Sequence, residues 1–278
     1  MFGKLVKHEF RATARIIPFV YLVTVFLALV HLLTVRLNLG ILANLSFVLV
    51  IIMCFAQVAV TVILIVWRYY KSLYSNEGYL THTLPVTPSK HLWSKLLVGA
   101  VWYLTAMLLS FGTVAVVISA DIQMKDIITY DRLVQLMGIQ HNQMIFWVVV
   151  ASMLVIGVVQ TLAEAYFAIT LGSVSKLHKL GIGGPVLIFF AEYVGLQIIN
   201  SLAMFLIPIG LEMGTKGDEM SFRLVNRNML SVFIEAIKTS SSNSSGIIGI
   251  GTFIMLPIVI AALLIITSRV LNRNTSLR

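Results

Sequence analysis

Six apolar runs, each about as long as a membrane-crossing helix, recur along this chain of 278 residues. They lie near 17–35, 44–66, 96–119, 145–170, 185–210 and 247–267. A hydrocarbon core of about 30 Å takes about 20 helical residues at roughly 1.5 Å each, so runs of this length read as spans and not as buried helices of a soluble protein. Only 11% of residues are charged and the mean hydropathy is +0.96. The fold class that follows is all-α: a polytopic integral membrane protein with six transmembrane helices. Pro208 is expected to end or kink the fifth run. The longest connectors, 67–95 and 211–246, are too short to bury a sizeable core of their own, which predicts one membrane domain over residues 1–278.

The basic residues set the expected orientation. With both ends cytoplasmic, the inside segments hold 13 Lys and Arg, among them Lys4, Lys7, Arg11, Arg15, Lys90 and Lys95, against seven outside. Four of those seven fall in the one long loop 211–246, which the positive-inside rule weights less. The reading is a multi-pass protein of the cell membrane with N- and C-termini cytoplasmic. Topology and anionic lipid account for the net charge of +9, so no nucleic-acid partner is needed. The apolar run from Ile16 to Val35 exceeds a signal-peptide core of about 7–15 residues and no small-x-small cleavage site follows, so it reads as a retained span. The single cysteine, Cys54, lies inside the second span and excludes an intrachain disulfide.

Residues 2–15 carry a second pattern. At about 100° per residue, Phe2, Leu5, Val6, Phe10 and Thr13 fall on one side, and Lys4, Lys7, His8, Arg11 and Arg15 on the other. This predicts an interfacial helix with its apolar face in the acyl boundary and its cations at the headgroups. The alternative is a solvated basic tail that only helps set topology. Pro18 suits the first turn of the spanning helix that follows.

The most informative connector is 67–95, which places Leu73, Tyr74, Tyr79, Leu80, Leu84 and Val86 on the expected cytoplasmic side. Apolar and aromatic residues at that density imply a partner surface or the membrane interface. The second spanning helix is expected to run to about Tyr74 and to break at Ser75-Asn76-Glu77-Gly78. Thr87-Pro88 is expected to start the helix of the third span. A short transverse segment between two protruding helices results.

That arrangement resembles the permease subunits of ABC transporters of the ABC-2 type, especially the small six-span permeases of Gram-positive bacteria. The resemblance rests on Glu77-Gly78-Tyr79-Leu80, then Thr83-Leu84-Pro85-Val86, then Lys90 and Lys95, together with the amphipathic N-terminal helix. It implies that Glu77, Gly78, Tyr79, Leu80, Leu84, Pro85, Val86 and Lys90 dock in a cleft of a separate ATP-binding subunit, Gly78 and Pro85 fixing the bends. It further implies two copies of that subunit and a second permease, identical or related. Short helices before the last span, acting as a gate, are also part of that family's pattern.

The chain itself has no G-x-x-x-x-G-K-[ST] run, so no cofactor is expected in it, and ATP and Mg2+ belong to the partner subunit. Nor does it show H-E-x-x-H, a pair of membrane aspartates or a Ser/His dyad, which argues against an intramembrane enzyme. The six histidines lack ligand spacing, and no metal site is expected.

Polar residues within spans are costly and ask for a reason. Gln57, Gln160, Glu164, Glu192, Gln197 and Asn200 are the candidates for a path lining, with helix-to-helix glue the alternative, and the preferred one for Gln57, Gln197 and Asn200. His31 reads as an interfacial histidine. Phe222, Val225, Met229, Val232, Phe233 and Ile237 approximate a helical stripe ahead of a Ser-rich linker at 239–245. The expected function is the permease subunit of an ATP-driven exporter of an amphipathic or hydrophobic substrate, such as an antimicrobial peptide, lipid or drug. Its rivals are an ion-coupled secondary transporter using Glu164 or Glu192, and a membrane sensor or immunity protein.

Overall fold

The computed structural model describes residues 2–74, 86–120, 143–174, 180–181, 183–216, 219–232, 234 and 246–274. In lipid no water satisfies backbone N–H and C=O groups, so each apolar run closes its own hydrogen bonds as a helix. Helix α1 covers Phe2–Thr13, α2 Ile17–Arg36, α3 Gly40–Tyr74, α4 Pro88–Ala120, α5 Gln143–Val174, α6 Gly183–Leu206 and α7 Gly251–Asn274. All but α1 are long and apolar enough to cross a membrane, which makes the chain a six-span polytopic membrane protein.

Helix α3 has 35 residues and α4 has 33. At about 1.5 Å per residue each is roughly 50 Å long, well beyond a 30 Å hydrocarbon core. Pro88 starts α4, the position the sequence predicts, and α3 is described as far as Tyr74. Glu77 to Pro85 lie outside the described residues. The N-terminal proline of α4 fits the first turn, where a missing N–H costs nothing. Pro18 likewise stands in the first turn of α2.

Contacts gather the chain into two compact units. The first contains the described parts of residues 1–129, 157–166 and 267–278. In it α2 and α3 form a hairpin whose turn holds Asn38 at a φ of 52°. Asparagine is among the few side chains that tolerate this left-handed region. Val50 and Cys54 of α3 pack with Val117 of α4 and with Leu27, Ala28 and Phe47. His31 is fully buried: its Nδ1 lies 2.9 Å from Ser46 Oγ, which in turn lies 2.9 Å from Thr34 Oγ1. This polar chain joins α2 to α3 at the turn end. Ser89 ties the start of α4 to the end of α7 through Ser268 Oγ at 3.0 Å and the Asn272 amide at 2.8 Å.

The second unit contains the described parts of 130–156 and 167–266. Helix α6 stops at Leu206, two residues before Pro208. A three-stranded antiparallel sheet follows, with β1 over Gly210–Lys216, β2 over Glu219–Val225 and β3 over Gly246–Gly249, in the order β2-β1-β3. Gly210 pairs with Val225 on one side and with Gly249 on the other.

Here the sequence reading needs correcting. The helical stripe expected from Phe222 gives way at its start to β2, because Met220, Phe222 and Leu224 alternate with Ser221 and Arg223, a period of two. The two-residue connector Gly217-Asp218 between β1 and β2 is a hairpin signal that the helical reading passed over. The last helix starts at Gly251 and not at 247, since β3 occupies the preceding residues, and it runs on to Asn274.

Candidate functional site: a charged joint under the N-terminal helix

Helix α1 packs against α4, and its single acid is one of the residues that join them. Glu9 stands within the arc that Phe2, Leu5, Val6 and Thr13 define at about 100° per residue, so it points with the apolar face and not with the cations. Its Oε1 accepts from Lys95 Nζ of α4 at 2.5 Å, and its Oε2 accepts from Arg68 Nε of α3 at 3.4 Å. The Lys95 side chain is 3% exposed, that of Glu9 12% and that of Arg68 30%. The Lys95 contact is therefore the buried, charge-assisted bond, and the Arg68 contact a longer one closer to the surface. Burial pushes the Glu9 carboxyl up, but the charge and hydrogen bond of Lys95, followed by those of Arg68, outweigh it and hold the group below its ordinary value. Glu9 is thus an anion at neutral pH and neutralises a buried cation.

An aromatic clamp surrounds this pair. Trp102 Nε1 donates to Thr13 Oγ1 at 2.8 Å, and the Phe10 ring stacks on the indole with centroids 4.9 Å apart and planes at 15°. Tyr21 Oη of α2 donates to the Trp102 carbonyl at 2.7 Å. Tyr166 Oη of α5 donates to the Lys95 carbonyl at 3.3 Å. A cavity of about 10 Å³ remains among Glu9, Thr13, Arg68, Lys95, Trp102 and Tyr166, near the least volume that holds one water molecule.

Helices α1, α3, α4 and α5 share one set of polar contacts, and undocking α1 would break the buried bond between Glu9 and Lys95. Among the described residues no group of His, Cys, Asp and Glu is placed to hold a metal ion.

The residues singled out from sequence fall as follows. Lys4, Lys7 and Arg11 are exposed on α1, with Leu5 and Val6 half-buried behind them. Phe10 is 42% exposed but carries the stack on Trp102, and Arg15 lies past the end of α1. Val86 is half-buried and Lys90 exposed, whereas Glu77, Gly78, Tyr79, Leu80, Leu84 and Pro85 lie outside the described residues.

Gln57 is fully buried, and its Nε2 donates to the Ala106 carbonyl and to Ser110 Oγ, both at 3.1 Å. Gln160 Nε2 donates to Glu164 Oε1 of the same helix at 2.8 Å. Gln57 thus joins α3 to α4, and Glu164 has a partner one turn away. In the second unit Glu192 is half-buried, Gln197 is exposed, and the Asn200 carbonyl accepts from Thr252 Oγ1 at 3.2 Å.

Glu9, Arg68, Tyr69, Trp102 and Tyr166 were missed as a group. The signal available for Glu9 was its place as the one acid of residues 2–15, on the apolar side.

Architecture and joint together define a class: a multi-pass membrane protein whose N-terminal amphipathic helix is ion-paired to its spans. No protein-family model, no curated protein and no solved structure matches the chain.

Proposed function

We propose that this chain is the membrane-spanning permease subunit of an ATP-driven exporter of the ABC-2 kind. It would act with two copies of a separate ATP-binding subunit and a second permease, identical or related, in the cell membrane with both termini cytoplasmic. The observation that supports this reading is the Glu9–Lys95 bond together with its surroundings. Helices α3 and α4 end and begin at Tyr74 and Pro88, on either side of the segment that resembles a docking loop. Through Lys95 and Arg68, Glu9 joins α1 to both of these helices. A push delivered between Tyr74 and Pro88 by a closing pair of ATP-binding subunits would move α1, α3 and α4 jointly, as rigid-body rocking between two states requires. The few charges in the spans favour an amphipathic or hydrophobic cargo, such as an antimicrobial peptide, lipid or drug.

The test is a mild-detergent pull-down of the tagged chain with an assay of ATP hydrolysis on the co-purified material. A stoichiometric ATP-binding subunit is expected, and Glu77→Lys or Leu84→Lys should abolish cargo-stimulated ATPase while the chain still folds. A chain that emerges alone and without ATPase from several detergents would overturn the proposal and leave ion-coupled transport through Glu164 or Glu192 as the reading to pursue.

A further inference from the structure

A recess of about 510 Å³ lies between the start of α1, one stripe of α4 and α5. Lys90, Trp93, Leu97 and Ala100 of α4 line it, with Phe2 of α1 and Val159 of α5 closing its sides. The volume lies within the ordinary range of small-molecule sites. Its walls are apolar except at one end, where Lys90 is exposed and makes no ion pair among the described residues. Trp93 and Leu97 are each 47% exposed and Phe2 39%, so the recess is open on its flank to the surrounding lipid.

From Lys90 to Ala100 is ten residues, or about 15 Å along the helix. With the span expected to begin near 96, this stretch runs from headgroup level to about 6 Å inside the hydrocarbon. Trp93, one turn below Lys90, is a residue type enriched at headgroup level. A cation at the rim, an indole just beneath it and an apolar trough leading into the hydrocarbon match an anionic phospholipid, phosphate outward and the upper part of an acyl chain inward.

We propose that this recess is a binding site for one anionic glycerophospholipid of the leaflet on which α1 lies. Its phosphate pairs with Lys90, and one acyl chain lies along Trp93, Leu97 and Ala100 against Phe2 and Val159. The bound chain would fill the space between α1 and α4 beside the Glu9 joint, so that lipid composition tunes how firmly α1 is seated. The proposal requires only the membrane placement of the helices; it gives Lys90 to the lipid and so removes it from the docking residues of the exporter reading.

The full chain, reconstituted in phosphatidylcholine bilayers containing a minor fraction of acyl-brominated phosphatidylglycerol or acyl-brominated phosphatidylcholine, gives the test by tryptophan quenching. The Trp93 signal is the difference between wild type and Trp93→Phe. Brominated phosphatidylglycerol should be preferred by about fivefold, the contribution of one lysine at an anionic surface. Lys90→Gln should bring the preference down to that of phosphatidylcholine, and Ala100→Phe, which fills the trough and keeps the charge, should reduce quenching by phosphatidylglycerol. Equal quenching by the two lipids, a preference that survives Lys90→Gln, or no Trp93 quenching by either lipid because another protein surface covers the recess would each overturn the proposal. Lys90 lies on the exposed surface, so Lys90→Gln is expected to fold, and retained signals from the other tryptophans verify this.

Discussion

Tyr69 and Tyr166 lie face to face, with ring centroids 3.9 Å apart and planes 10° from parallel, at the point where α3, α4 and α5 converge. Gly99 of α4 makes this convergence possible, because a Cβ there would lie 2.8 Å from Ile65 Cγ2 and 3.1 Å from Tyr166 Oη. Gly99→Ala should therefore push the tyrosine pair and Ile65 aside at a cost of about 1–3 kcal/mol. Thermal unfolding of the purified variant in detergent reads this directly, and an unchanged midpoint would show that the tyrosines yield freely.

Lys95 is the more severe site. Replacing Glu9 with Gln removes the buried carboxylate that Lys95 Nζ binds at 2.5 Å, for an expected loss of about 3–5 kcal/mol. The double variant Glu9→Gln with Lys95→Met removes the charge as well as its partner and should recover much of that loss. A double-mutant cycle on the unfolding midpoint measures the coupling, and strictly additive effects would rule out the buried pair as a stabilising unit.

Acidification provides a separate readout of the same bond. The Glu9 carboxyl is held below its ordinary value of 4.5 in the folded chain, so its contribution is fully present above that pH and is lost as pH falls further, through the folded value. Wild type should lose stability below pH 4.5 more steeply than Glu9→Gln, which has no carboxyl to protonate there. Parallel acid slopes for the two proteins would place the titration elsewhere.

Gln57 separates packing from transport. Gln57→Leu gives up two bonds from Nε2 to α4, worth roughly 0.6–2 kcal/mol each between membrane helices. It also removes a buried Oε1 that has no hydrogen-bond partner among the described residues, which offsets part of the loss. A small drop in unfolding midpoint with unaltered vesicle transport is the expected result. Loss of transport with stability intact would instead give Gln57 a place on a substrate path.

The spans, their order and the start of α4 at Pro88 are legible in the sequence because they depend on local causes. Twenty apolar residues have few alternatives in lipid, and Pro88 can only begin a helix cheaply. The Glu9 joint depends on a partner 86 positions away, and periodicity alone names no partner. A face assignment by hydrophobicity treats one acid on an apolar side as noise, although a buried charge is a strong sign of a fixed counter-ion. The sheet was missed for a different reason. Phe222 and Val225 satisfy a helical spacing of three as readily as they belong to a strand, and only the Gly217-Asp218 connector and the alternation beside it decide between the two.

At Gly249 an added Cβ would meet the Met204 carbonyl oxygen at 2.1 Å, and at Gly251 the Ala203 carbonyl oxygen at 2.0 Å. Backbone therefore touches backbone where α6 ends and α7 begins, and Ile250 N donates to Ile209 O at 3.0 Å across the same junction. Sliding one of these helices along the other would break the sheet pairing and drive two carbonyls into occupied space. The motion left to them is rotation about a pivot outside the hydrocarbon, like the arms of a pair of tongs, with any side chain at either glycine acting as a wedge in the rivet.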